Sequence, residues 1–345
     1  MLRKTHARAW MIGGWIGMGL YLGGCLDRIE TITVHQDTSA DVVSIFKGDA
    51  ADMNAGDALP TAGRVWRLEE TATKHPDGGV KVERVARASI PAGGVIPGTY
   101  AADAATAAVA LRFPSELTTE VRGDGVYYHF SRVYEGRTDA AYTRTKRSLE
   151  RDKAMRALIE ADVETLTRDD RTKLLDAFRR MELEKHAQYV AAGARALESL
   201  PQDTGLRVAA AVVNAGHDFD TSRALDLLEA PETEARNSEI ERLAVSFEQT
   251  LRDAVTNAIE RESLTAKDRA VFLAAYEDER RRREITEDLM DERWEVRLVL
   301  PGTVVAHNAD AVEAGGVLVW KFDGASLMDV DKEVRATSVV RGAGH

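Results

Sequence analysis

The chain has 345 residues, 44% hydrophobic and 30% charged, which is ordinary globular composition and enough for one large domain or two smaller ones. Its formal net charge is -11; the first 24 residues carry Arg3, Lys4 and Arg8 and no acid, so without them 43 basic residues face 57 acidic ones. A surface that negative repels phosphate backbones and gains little from anionic headgroups, which sets nucleic acids aside as partners.

The chain opens on the basic segment MLRKTHAR, followed by AWMIGGWIGMGLYLGG, 16 uncharged and mostly apolar residues. Basic, then apolar, then small is the layout of a secretory signal peptide over residues 1–24. The apolar run falls short of the roughly 20 residues a helix needs to cross a bilayer. Leu22-Gly23-Gly24-Cys25 then resembles the bacterial lipobox, and Cys25 is the only cysteine in the chain. That resemblance implies cleavage between Gly24 and Cys25, a diacylglycerol thioether on the Cys25 sulfur and acylation of the new amino terminus. Small residues before the cut let an extended backbone enter a peptidase. Each buried acyl CH₂ contributes about 0.8 kcal/mol to membrane binding, so several chains hold a protein firmly. An ordinary signal peptide and an uncleaved anchor helix are the alternatives. A single cysteine cannot form an internal disulfide. Leu26, where inner-membrane lipoproteins of two-membrane bacteria commonly carry Asp, favours the outer membrane. Everything after it is then displayed outside the cytoplasm on a tether, with the covalent lipid as its one non-protein group and no cofactor implied.

Residues 25–136 read as strands and turns. ETITV (30–34) alternates and DVVSIF (41–46) is β-branched. Residues 64–73 and 80–90 flank HPDGG as a hairpin, 109–113 is a short apolar run stopped by Pro114, and 117–134 is a hairpin turning at Asp124-Gly125. Residues 48–63 and 91–98 are Gly/Pro/Ala-rich loops. Within VYYHFSRVY, Tyr128, Phe130 and Tyr134 share one face, and Tyr127, His129 and Val133 the other. Aromatics on both faces imply cover on both sides. Tyr128, Phe130 and Tyr134, with Trp66 and Trp320, are candidate lining for an apolar ligand cavity; plain core packing is the competing reading.

Residues 137–291 change to helical spacing. Met155, Leu158, Ile159, Val163 and Leu166 form one stripe; Leu174, Leu175, Phe178 and Met181 a second, with Thr167 as its cap and Asp169 and Asp170 in its first turn. Residues 206–228 read as one or two shorter helices. Ile240, Leu243, Phe247, Leu251 and Val255 form another stripe, and Thr265 with Asp268 resembles a capping box. The run Arg280-Arg281-Arg282-Arg283 follows Glu277, Asp278 and Glu279, an acid-before-base i, i+4 order expected to give a solvated, self-paired helix. His217-Asp218-Phe219-Asp220 and residues 329–333 (DVDKE) lack the spacing of a metal or calcium site and read as loops or caps. No GxSxG, P-loop, GxGxxG or HExxH pattern is present, so nothing points positively to an enzyme.

Residues 292–345 return to strands: WEVRLVL, GGVLVWKF and VRATSVV. Three short strands are marginal alone, so they are expected to join the amino-terminal strands. The expected fold is α+β: a mainly antiparallel sheet system built from both ends of the chain, with a helical insertion of four or more helices.

Leu300-Pro301-Gly302, Asn308, Gly315-Gly316, Trp320, and Ala336 with Ser338 follow one another in a pattern that resembles the close of the LppM-type lipoprotein domain family of unknown function. The resemblance covers the two strand regions and implies an anchored envelope lipoprotein with a fold similar to lipid-binding proteins. On that reading the chain is non-enzymatic and binds an apolar ligand or envelope component through its β-rich domain. The alternative is a structural or assembly lipoprotein whose helical block binds a protein partner, and a hydrolase comes last.

Overall fold

A computed structural model describes residues 26–50, 53, 59–74, 80–101, 109–137, 151–161, 165–197, 203–231, 233–289 and 292–342. The proposed cleavage site, Gly24 and Cys25, lies outside the described residues, as does the HPDGG turn. The fold is α+β with a helical block between two groups of strands. It divides into a β-domain, residues 23–139 with 285–345, and a helical unit, residues 140–284.

The β-domain holds eleven strands among the described residues, in two sheets. The larger runs β3-β4-β2-β1-β7-β10-β9 and the smaller β5-β6-β11-β8. In the larger sheet, β1 (Asp27–Val34), β2 (Ala40–Asp49), β3 (Arg67–Lys74) and β4 (Val80–Ile90) come from the amino-terminal segment. β7 (Arg293–Val299), β9 (Ala311–Val312) and β10 (Leu318–Asp323) come from the other end of the chain. The two groups meet at β1 and β7, a parallel pair in which Asp27 faces Arg293 and Thr33 faces Val299. The other pairings in this sheet are antiparallel. The smaller sheet joins β5 (Ser115–Arg122), β6 (Gly125–Tyr134), β8 (Thr303–His307) and β11 (Lys332–Arg341), all antiparallel.

Period-two burial shows which side chains build the core. On β1 the inward set is Arg28, Glu30, Ile32 and Val34; on β6 it is Tyr128, Phe130, Arg132 and Tyr134. The buried faces of both sheets share one hydrophobic cluster, with Ile32, Phe46, Val296, Leu298 and Trp320 from the larger sheet and Phe130, Tyr134, Val334 and Ala336 from the smaller. Ile285 and Leu289 join it from the segment that leads into β7.

Several expected boundaries move. Residues 109–113 are not a strand. Val109, Ala110, Leu111 and Phe113 are all buried, which a strand with one outward face cannot do, and the Val109 and Ala110 carbonyls accept from the Arg137 guanidinium at 3.0 Å each. Trp66 precedes β3, with its carbonyl accepting from Gly63 N at 3.1 Å. The second hairpin turns at Gly123 and Asp124, because Arg122 pairs with Gly125. Gly125 lies against β11, where a Cβ would stand 2.5 Å from the Val340 carbonyl oxygen, so the position takes no side chain. Beyond the three expected carboxy-terminal strands, β8 and β9 also form.

The helical unit contains α1 (Lys153–Glu160), α2 (Arg168–Arg195), α3 (Thr204–Asp218), α4 (Ser222–Glu229), α5 (Glu234–Arg261) and α6 (Ala266–Asp288), the last turn of α6 belonging to the β-domain. Thr167 caps α2 in a full capping box with Asp170, and Thr265 and Asp268 bond reciprocally at the start of α6, at 2.7 and 3.1 Å. Residues 206–228 resolve into α3 and α4. α1 ends at Glu160, so Leu166 reaches the Leu174 and Phe178 cluster from a connecting segment rather than from the helix; Val163 lies outside the described residues. The main core of the unit gathers Tyr189 and Val190, Val208 and Val212, Leu251, Val255 and Ile259, and Phe272 and Tyr276.

Candidate functional site

Two inward positions of β1 are charged, and the β-domain closes around them. Glu30 accepts from Arg132 Nη2 at 2.7 Å and from the Tyr134 hydroxyl. Arg132 also donates to Ser115 Oγ at 2.6 Å, the Pro97 carbonyl at 3.0 Å and Tyr134 Oη at 3.2 Å, and its guanidinium lies 4.4 Å from the Phe113 ring centre. Arg28 meets Glu292 in a two-pronged pair at 2.5 and 2.6 Å, flanked by the rings of Phe46 and Trp294 at 5.3 and 5.0 Å. Arg28, Glu30, Arg132 and Glu292 are each at most 2% exposed. Burial, the largest single influence, opposes the Arg132 charge, but the Glu30 carboxylate together with Tyr134 and Tyr100 outweighs it and raises the guanidinium above its ordinary pKa. Burial first, and then Glu30, push the Tyr134 phenol well above its usual range, and Tyr100 is raised for the same reasons. These phenols stay protonated and donate or accept as neutral groups.

The five aromatics singled out as cavity lining are all buried, with Trp66 6%, Tyr128 3%, Phe130 2%, Tyr134 1% and Trp320 1% exposed. Trp66 leads a series of edge-to-face and tilted ring contacts through Tyr100, Phe113 and Tyr134 to Trp294 and Phe322, with ring centres 4.6–5.9 Å apart. Such pairs contribute about 0.5–1.5 kcal/mol each beyond their area. Tyr128 instead reaches the Gln36 carbonyl with its hydroxyl, at 2.7 Å. The Arg and Glu members of this interior were missed in the sequence. The signal was there: Arg28 and Glu30 fall in phase with Ile32 and Val34.

The carboxy-terminal pattern resolves into a clasp between strands. Asn308 Oδ1 accepts from Trp320 Nε1 at 3.0 Å and from Arg335 N at 2.8 Å, and its amide donates to the Glu333 carbonyl at 2.8 Å. One side chain thereby ties β10 of the larger sheet to β11 of the smaller. Ser338 Oγ donates to the Pro301 carbonyl at 2.7 Å, and Gly302, at φ +81°, sits where a Cβ would be 2.2 Å from the Val339 carbonyl oxygen. Leu-Pro-Gly, Asn, Trp and Ser are therefore held by architecture, with both acceptor positions of Asn308 Oδ1 occupied.

On the outer face of the smaller sheet an open depression of about 420 Å³ is floored by His129, Ser131 and Thr337 and rimmed by Glu116, His307 and Arg335. His129 Nδ1 lies 3.1 Å from Thr337 Oγ1, and its Nε2 3.7 Å from Glu120. Along this edge the register of β8 against β11 shifts by one residue, Thr337 facing Ala306 and Ser338 facing Val304. Imidazole, hydroxyl, guanidinium and carboxylate groups together suit a polar ligand. Among the described residues, no three His, Cys, Asp or Glu side chains gather as a metal set.

In the helical unit the arginine run is less solvated than expected, and its pairing is mixed. Arg280 bonds Glu277 one turn back at 2.9 Å, Glu248 on α5 at 3.3 Å, and Glu284; Arg282 meets Glu279 at 3.8 Å; Arg283, 8% exposed, donates to Gln188 at 2.5 Å. Arg280–Glu277 and Arg282–Glu279 are i, i+3 pairs and Arg280–Glu284 an i, i+4 pair, while Arg280 and Arg283 also reach neighbouring helices. Beneath them His186 Nδ1 and the Tyr276 hydroxyl share a hydrogen bond of 2.7 Å, and burial lowers the His186 pKa to about 3. Asp220 caps Ser222 N at 2.9 Å, and Asp331 accepts from Gly136 N at 2.7 Å, so the first acidic motif serves a cap and the second ties its loop to the segment after β6. No helix among the described residues is long and apolar enough to cross a membrane.

No protein-family model matches the chain, and no curated protein matches it. Among solved structures, the NMR structure of the folded domain of Mycobacterium tuberculosis LppM is similar over 93% of each chain, at 11% identity and a TM-score of 0.28, a likeness too slight to carry any argument about fold or function.

Proposed function

We propose that the chain is an exported bacterial lipoprotein, held in the envelope by a diacylglycerol thioether on Cys25, whose β-domain is a non-enzymatic binding module. The observation that carries this reading is Leu22-Gly23-Gly24-Cys25, placed behind a basic and then apolar segment and holding the only cysteine in the chain. Leu26 after the cysteine favours the outer membrane. The interior of the β-domain is occupied by its own paired charges and rings, so an apolar guest there displaces packed side chains. The depression over His129, Thr337 and Arg335 is open and polar, and we assign the contact with an envelope component to that face.

Metabolic labelling with a fatty-acid probe, followed by membrane fractionation, tests the anchor. The wild-type chain takes up label and sediments with membranes, and Cys25→Ser loses both. Unlabelled wild-type protein, or a Cys25→Ser variant still retained by membranes, overturns the proposal.

A further inference from the structure

We infer that the β-domain has no tether: the anchored protein is held directly against the bilayer, with the Asp27 end of the larger sheet facing the lipid headgroups. This rests on the lipidation of Cys25 proposed above. Leu26, the next residue, is 3% exposed and belongs to the core cluster of the β-domain. Its carbonyl accepts from Arg293 N at 3.0 Å, continuing the parallel β1–β7 ladder one step beyond Asp27. Consecutive Cα atoms are about 3.8 Å apart, so the thioether carbon is bound within one residue of an ordered, buried position. A flexible linker would let the domain tumble above the membrane, and none is present between the anchor and the central strand.

Charge does not supply this orientation. The mature chain has 43 basic against 57 acidic residues, and at the Asp27 end Lys47 is already paired with Glu83 at 3.0 Å and Lys81 with Asp49 at 2.9 Å. The covalent connection sets the orientation, so added salt leaves it unchanged. The partner surface is a phospholipid bilayer.

The sheet provides its own ruler. Lys47 lies opposite Asp27, whereas Ser89 lies opposite Asp41, which faces Thr33 near the far end of β1. Six residues of strand separate the two rows, roughly 20 Å. Both positions are exposed, and a lipidated Cys25 leaves an introduced cysteine as the sole free thiol.

The test uses the full, lipidated protein in phosphatidylcholine vesicles that contain nitroxide-headgroup lipid, with a fluorophore on Lys47→Cys or on Ser89→Cys. The expected result is loss of emission at position 47 and none at position 89, unchanged in high salt. A Gly/Ser insert of about fifteen residues between Cys25 and Leu26 abolishes the difference. Equal quenching at the two sites, or a difference that survives the insert, overturns the inference while a fatty-acid label on Cys25 still supports the anchor. Absence of that label overturns the anchor itself and this orientation with it.

Discussion

Replacing Glu30 with Gln preserves shape and removes one negative charge from the sealed interior of the β-domain. Arg132 is then left charged at 1% exposure. It retains Ser115, the Pro97 carbonyl and Tyr134, none of them a charge. Glu30 accepts two bonds, from Arg132 and from Tyr134. Hydrogen bonds to charged groups contribute roughly 1.5–3 kcal/mol each. Breaking a buried ion pair from one side costs about 3–5 kcal/mol, which agrees with that sum. The β-domain is of a size where each kcal/mol moves Tm by about 2–4 °C, so Glu30→Gln lowers Tm by roughly 6–20 °C. Tryptophan fluorescence reads this transition selectively. Trp66, Trp294 and Trp320 all lie in the β-domain, and residues 140–284 contain no tryptophan. The paired variant Glu30→Leu with Arg132→Met removes both charges and recovers most of the loss, since apolar replacement of a whole buried pair is near neutral. A single variant that costs under about 1 kcal/mol, or a double variant no better than the single, refutes the reasoning.

Asn308→Ala removes the acceptor of Trp320 Nε1 and Arg335 N together with the donor to Glu333; at about 1 kcal/mol per bond the β-domain loses roughly 2–4 kcal/mol, read from the tryptophan transition in urea. His186 is held neutral by burial, so its folded pKa of about 3 lies below the unfolded value of about 6.5. Its contribution is present above pH 6.5 and lost as pH falls toward 3, with an upper bound of about 4–5 kcal/mol. His186→Phe therefore flattens the loss of helical circular dichroism between pH 6.5 and 4 relative to wild type, and identical acid profiles for the two proteins count against the assignment.

Local rules were legible where the physics is local. The caps at Thr167 and Thr265, the stripe of α5 and the edges of β4 all follow from spacing within a dozen residues. The expectation that both ends of the chain share a sheet followed from counting strands too few to stand alone. It could not specify that β1 and β7 pair in parallel, because that partner lies far away in sequence. The run at 109–113 misled because apolar content looks the same in a strand and in a buried irregular segment; the Arg137 guanidinium at its carbonyls separates the two.

The sequence by itself determined the α+β class, the helical insertion between strand groups and the chemistry available at Cys25. Those depend on periodicity, composition and short motifs, which a chain carries whether or not it is folded. Only the tertiary structure decided that Glu30 and Arg132 meet in the core, that Asn308 clasps Trp320 across two sheets, and that Leu26 is buried beside Arg293. The first and the last join residues far apart along the chain, and in all three burial and partner identity exist only once the sheets have closed around them.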